Sequence, residues 1–407
     1  MLRMRILDYK LILPFLLILL IGVPISVIAN GDVVNSNTEL VVESNNLAQT
    51  IQSLTDGQKY YRAIHIMAML LLGFGFLMVF VRKYGRSAIT ATFLLVSVSI
   101  PSYIMFVNSG LFGFHGISEI DTLILAEFAA ASLLITAGAV LGRLKMWQYI
   151  ILGILFIPAY MLNEFIMLDN GFGLVTAGSF VDVGGSIVIH AFGAIFGLGV
   201  ALSMTTKDEI NIDIEADFTS DRFSLLGSMV LWIFWPSFCA ALVIPEEVVH
   251  TAINVILALS GATIVTYLFT TWLRGKIDAA DIANASLAGG VAIGSVCNTA
   301  TPTEAIIIGM VAGAISTMGF ALLQSRLEKG LKVIDTCGVS NLHGIPGIFG
   351  GLVALITVES IDASAQLTGI AITIGIAVIT GFVTGKILSL TGRRSVPYSD
   401  SEEFGID

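Results

Sequence analysis

The chain has 407 residues, of which 56% are hydrophobic and only 12% charged, with 41 glycines and a formal net charge of −10. That is the composition of a chain that crosses a membrane many times, and it excludes an ordinary soluble domain. No basic patch supports a nucleic-acid partner, and three cysteines (Cys239, Cys297 and Cys337), all in apolar segments, cannot build a disulfide framework.

Residues 1–29 carry a basic start (Arg3, Arg5, Lys10), an apolar middle, and Val27-Ile-Ala29 before polar Asn30. This pattern fits a signal peptide cleaved after Ala29, and equally a retained twelfth helix. Residues 30–60 are polar and read as an external loop. Apolar runs of about 20 residues, enough to span a bilayer as helices, then follow. They lie at 61–81, 88–107, 122–142, 149–168, 183–204, 223–244, 250–273, 284–300, 303–325, 334–357 and 366–388. The predicted fold is therefore an all-α polytopic membrane protein with eleven transmembrane helices. The channel domain covers 61–388, and 389–407 form a tail.

Basic residues set the orientation. Arg82, Lys83 and Arg86, then Arg143 and Lys145, Lys207 and Arg222, Arg274 and Lys276, and Arg326, Lys329 and Lys332 fall in alternate loops. The intervening loops, near 108–121, 169–181, 245–249, 301–302 and 358–365, hold no Lys or Arg. The positive-inside rule makes the basic loops and the tail cytoplasmic. Only Lys59 and Arg62 break the pattern.

Two stretches 153 residues apart are copies of one another. Asp182-Val-Gly-Gly-Ser-Ile-Val-Ile-His190 and its continuation to Leu202 align with Asp335-Thr-Cys-Gly-Val-Ser-Asn-Leu-His343 and its continuation to Leu355. Nine of 21 positions are identical, including the Asp and the His. The first copy runs inward and the second outward, so they are predicted to be antiparallel, as in a five-helix inverted repeat. Eight residues of helix put each histidine about 12 Å below its aspartate, which brings both near the membrane midplane. Gly184, Gly185, Gly193 and Gly197 in the first copy, and Gly338, Gly344, Gly347, Gly350 and Gly351 in the second, allow close approach. Pro346 is expected to kink the second helix.

A histidine within a membrane is costly, so it is a candidate for function before it is a packing residue. Neutral imidazole offers one donor and one acceptor, and can also pass a proton. A narrow neutral lining suits a small, uncharged, hydrogen-bonding solute better than a bare cation. Asp182 and Asp335 read chiefly as caps on the free N–H groups of their helices. Asp182 also lies where its field can act on a cation. His65, His115 and His250 fall near the outer face and read as ordinary surface or interface residues. There is no His-Glu-x-x-His spacing and no third ligand at the depth of the two histidines, so neither a metal site nor an enzyme is expected.

The paired Asp-to-His stretches resemble the signature motifs of the ammonium transporter/Rhesus family, and of its Rhesus branch most closely. Supporting stretches are Gly73–Gly85, Gly138-Ala-Val-Leu-Gly142, Asn163-Glu-Phe-Ile166, Trp235-Pro-Ser-Phe238 and Asn284–Val291. The likeness covers about 60–390. It implies a homotrimer in a lipid membrane, each subunit with a pore lined by His190 and His343, with ammonia or ammonium as solute and no cofactor. It also implies an outer phenylalanine gate at Phe128 and Phe238. Glu164 matches a vestibule acid of the Rhesus branch, and reads either as part of a negative outer funnel or as a solvated interfacial residue. Cys239 stands where the family usually has Asn, Ser340 where many relatives carry His or Asn, and the segment from Glu164 to Asp182 is longer than usual. No match to the outer tryptophan of the high-affinity branch is found, which weakens cation–π recruitment and favours a lower-affinity, bidirectional conduit. A carbon dioxide channel through the same pore and an ammonium sensor are the competing expectations.

Overall fold

The computed structural model describes residues 38–405, and among them it contains helices and no β-strand. Eleven helices are long and apolar enough to cross a membrane. They are α1 (Asn46–Phe80), α2 (Gly85–Asn108), α3 (Glu119–Ala139), α4 (Met146–Leu168), α5 (Ser186–Met204) and α6 (Phe218–Cys239), followed by α7 (Pro245–Arg274), α8 (Ala279–Val296), α9 (Pro302–Leu331), α10 (Ser340–Thr357) and α11 (Ala363–Leu390). Each overlaps one apolar run read from the sequence. The question of a signal peptide or twelfth helix at 1–29 lies outside the described residues.

The expectation of a loop at 30–60 needs correction. From Thr38 the chain is helical and runs continuously into the first crossing. Polarity had argued for a loop, but this stretch is rich in helix-forming residues, has no proline, and has a single glycine, Gly57.

The helices sort into a buried centre and an outer ring. In α3 89% of the apolar window is buried, whereas in α11 only 33% is, so α3 lies inside the bundle and α11 faces out. Burial of α5 and α8 is nearly as complete as that of α3. Without a hydrophobic drive between helices in lipid, packing has to come from close backbone approach. At Gly309 on α9 an added Cβ would lie 1.9 Å from the Ala258 carbonyl oxygen of α7, so only glycine lets these backbones meet.

The ends are pinned by polar side chains. Asp217 and Thr301 cap α6 and α9. Arg143, almost fully buried, donates to the carbonyls of Ala139 (2.7 Å) and Ile334 (2.8 Å), tying the end of α3 to the approach to α10. The segment after α11 folds back on the bundle. The Tyr398 N–H donates to the Gly142 carbonyl, and the Asp400 carboxylate accepts from the backbone N–H groups of Arg86 and Ser87 at the start of α2.

Candidate conduction site

The two copies of the motif fold alike. Each begins with a glycine in the left-handed region, Gly185 (φ 75°) and Gly338 (φ 65°), a conformation that glycine adopts without strain. Each aspartate then turns back onto the start of its helix. The Asp182 carboxylate accepts from the N–H of Ile187 (3.0 Å) and Val188 (2.7 Å) and from the Ser295 hydroxyl (2.6 Å). The Asp335 carboxylate accepts from the N–H of Val339 (2.9 Å) and Ser340 (2.9 Å) and from the Ser340 hydroxyl (2.7 Å). Both acids are buried, and each satisfies donors that a helix start leaves free. The sequence expected this capping role.

The first turns that follow are π-helical, at Ser186–Ala191 and Ser340–Gly344, and each holds its histidine. A π-turn loosens the ladder and frees carbonyls. Ser132 and Thr136 of α3 answer two of them, donating to the Ile189 carbonyl (2.8 Å) and the Gly193 carbonyl (2.7 Å).

His190 and His343 meet at the centre. Their Nδ1 atoms are 3.2 Å apart and their rings are nearly parallel, 9° between planes and 5.3 Å between centroids. Both are 3% exposed. The helices that carry them pass in opposite senses here. Added Cβ atoms at Gly344, Gly347 and Gly350 would meet Ala194, Ala191 and Ser186 in turn, so rising number on α10 matches falling number on α5.

Aromatic rings continue the column. Phe128 and Phe238 meet with centroids 4.6 Å apart, and Phe238 lies 6.1 Å from His190. Trp235, one turn from Phe238, stacks on His190 at 5.5 Å and 19°. On the other side Phe74 stacks on His343 at 6.4 Å and 24°. Beside His343 lies a cavity of about 330 Å³ whose walls include Phe74, Leu134, Gly138 and Val339. The order is thus paired phenylalanines, His190, His343 and then open space. His190 Nε2 is buried and has no hydrogen-bond partner. In a column of aromatic and aliphatic walls, that atom is a polar contact held available.

Glu164 differs from both expectations for it. It is 3% exposed and accepts a 2.5 Å hydrogen bond from the Tyr103 hydroxyl, so it is neither solvated nor on an open funnel wall. The partner from α2 covers it. His65 and His250 are accounted for by the Ser237 hydroxyl (2.8 Å) and the Ala300 carbonyl (3.0 Å). Cys239 sits behind the first motif: a Cβ added at Gly184 would be 3.0 Å from its sulfur. Among the described residues no cluster of His, Cys, Asp and Glu could hold a metal.

Several residues of the site carry no signal in the sequence. Ser295 is 113 positions from the Asp182 it binds. Phe74 and Ser132 stand in apolar runs without distinguishing spacing. Trp235 could have been found, because it lies three residues before Phe238 in a motif already noted.

Eleven crossing helices around a buried histidine pair and an aromatic column define a polytopic membrane transport protein. A family model described as the Ammonium Transporter Family matches residues 25–407. "Ammonium transporter Rh type A" of Bos taurus is 36% identical over 372 residues, covering 88% of this chain and 85% of the relative. "Ammonium transporter Rh type C" of Rattus norvegicus is 34% identical over 382 residues, covering 84% and 75%. Among solved structures, Nitrosomonas europaea Rh50, described with the mechanism of conduction by the Rhesus family of channels, superposes with a TM-score of 0.84. It is 52% identical and covers 87% of this chain and 93% of that one. A sensor Amt protein shares the fold, with a TM-score of 0.72 at 21% identity. The chain belongs to the ammonium transporter family, in its Rhesus branch.

Proposed function

We propose that this protein conducts ammonia, taken from ammonium at the outer side, past the pair His190 and His343. The observation that carries the reading is the imidazole pair itself, Nδ1 to Nδ1 at 3.2 Å, directly beyond the Phe128–Phe238 contact. Ammonium reaches the outer ends of α3 and α6 and loses a proton at or before the gate. A bare cation inside an apolar column would meet a desolvation cost of several kcal/mol. Neutral ammonia meets no such charge cost, and it both donates and accepts hydrogen bonds. It passes the rings, bonds along the edges of the two imidazoles, reaches the cavity beside His343 and is reprotonated inside. With Glu164 covered by Tyr103, recruitment does not rest on contact with that acid.

The same reading takes the protein as a homotrimer in the cell membrane, each subunit with its own pore and its tail in the cytoplasm. The basic loops support the orientation. The opposed passage of α5 and α10 supports an inverted repeat of five helices.

The test is ammonia-driven alkalinisation inside proteoliposomes, followed by stopped flow, with His190→Ala and His343→Ala controls and a parallel carbon dioxide pulse. Acceleration over empty vesicles that changes in both controls supports the proposal. Normal conduction and selectivity in both variants would sink the histidine mechanism. Acceleration of carbon dioxide alone would make the protein a gas channel, and silence in both would favour a sensor.

A further inference from the structure

Deeply buried acids in this protein have partners, with one exception. Asp182 and Asp335 hold backbone N–H groups and hydroxyls, and Glu164 holds Tyr103. Asp281 is gripped by the fork of Arg274 at 2.6 and 2.9 Å and by the Thr270 hydroxyl at 2.6 Å. Glu127 is 0% exposed, and neither of its carboxyl oxygens has a hydrogen-bond partner. Among the described residues it is the only carboxylate with both oxygens buried and unpartnered. A group of this kind is costly in a membrane interior, so its presence calls for a use.

Its place supplies one. Glu127 is the residue before Phe128, about 100° around α3 from it. Leu134, seven residues on and almost two full turns along, lines the cavity beside His343. Glu127 and Leu134 therefore project from nearly the same side of α3, one at the level of the gate and one below it. The residues between them on that side include Ala130 and Ala131, which leave room.

Nearby ionisable groups are engaged elsewhere. On α1, Lys59 pairs with Asp121 at 2.6 Å and His65 with Ser237, and no ion pair joins Arg62 to Glu127. On α2 and α4, Tyr103 and Glu164 pair with each other. Tyr149 of α4 lies against Tyr84 near the opposite end, and Tyr160 of α4 forms no bond to Glu127. On α5, His190 pairs with His343. Glu119 and Asp121 on α3 itself lie at its first turn.

We propose that Glu127 is the proton acceptor at the gate, a role that rests on the reading that ammonium reaches it. One N–H bond of ammonium breaks and one O–H bond forms on the Glu127 carboxylate. Neutral ammonia moves on to His190, and the carboxyl then returns its proton to outer water. Atoms and charge balance, and each turnover moves one ammonia with no net charge.

The experiment uses the full chain in proteoliposomes, with ammonium chloride gradients at about pH 6, where the solute is almost all ammonium, and about pH 8.5, where ammonia is far more abundant. Glu127→Gln keeps the shape and cannot take the proton. It is expected to lose roughly tenfold or more of the flux at the acidic pH and to stay within about twofold of the natural protein at the alkaline pH. Glu127→Asp should keep the shape of the pH profile. Infrared difference spectra should show a protonated-carboxyl band on adding ammonium, shifted in Glu127→Asp. A Glu127→Gln profile equal to that of the natural protein, or depressed equally at both pH values, overturns the proposal, as does the absence of the band. If Glu127→Gln does not fold, the band and the Glu127→Asp profile decide. Failure of the underlying reading looks different: the natural protein would not outpace empty vesicles at either pH, and the proposal would fall with it.

Discussion

His190 and His343 share one hydrogen bond between like atoms, Nδ1 to Nδ1 at 3.2 Å. Such a bond needs a proton on one nitrogen and a lone pair on the other, so the two rings must be different tautomers. The ring that donates from Nδ1 presents a bare Nε2, and the ring that accepts presents an Nε2–H. The pair thereby offers a solute one acceptor and one donor. Nitrogen-15 spectra of histidine-labelled protein should resolve one Nδ1–H and one Nε2–H imidazole among the buried rings, and His343→Ala should remove the constraint on His190. Two identical tautomers would show that the contact is not a hydrogen bond.

Asp182 holds the turn that carries His190, and the strength of that hold can be measured. Its carboxylate satisfies two backbone N–H groups and the Ser295 hydroxyl in a buried site. Hydrogen bonds to an ionised group are worth more than neutral ones, and leaving buried donors unmet costs their desolvation as well. Asp182→Ala should destabilise the protein by about 2 kcal/mol or more. Ser295→Ala, which removes one donor of the set, should cost less. Thermal unfolding in detergent gives the order. Equal effects would mean that the carboxylate does not anchor the turn.

The glycines predict a contrast between two positions with the same change. Gly309 faces the Ala258 carbonyl so closely that a methyl group cannot fit without moving α7 from α9. Gly309→Ala should cost about 1–3 kcal/mol through overpacking. Gly375 has nothing within 4 Å of the place a Cβ would take, so Gly375→Ala should change stability by no more than about 0.5 kcal/mol. Melting of the two variants side by side checks the claim, and a Gly309→Ala protein as stable as the natural one would refute it.

The eleven crossings were legible because long apolar runs have few other uses, and the histidines because duplication marked them. What escaped was set by contacts between distant residues. Tyr103, 61 positions from Glu164, covers that acid, and nothing local in either segment announces the pair. The crossing read at 284–300 is Ala279–Val296, since Asp278 caps its first turn and Arg274 neutralises Asp281, letting polar residues into the helix. The π-turns are also hidden, because a single widened turn leaves the apolar pattern of a membrane helix unchanged.

Asp217 gives a prediction in pH. It lies just before α6, exposed to solvent, and its carboxylate accepts from the N–H groups of Ser220 (2.9 Å) and Thr219 (3.0 Å). The bond from the Ser220 N–H, first among several, holds its carboxyl below the usual range, with help from Thr219, the Ser220 hydroxyl and Arg82. A carboxyl whose folded-state pKa is depressed binds protons more readily when unfolded. Its stabilising contribution is therefore complete above the ordinary carboxylate pKa and fades as the pH falls through the lowered one. Asp217→Asn keeps an acceptor oxygen but has no charge to lose. The gap in melting temperature between the natural protein and Asp217→Asn should be widest near neutral pH and close on acidification, while Asp217→Ala, lacking any acceptor, should remain less stable throughout. A gap that stayed constant, or widened toward acid, would mean that the cap draws nothing from the charge of Asp217.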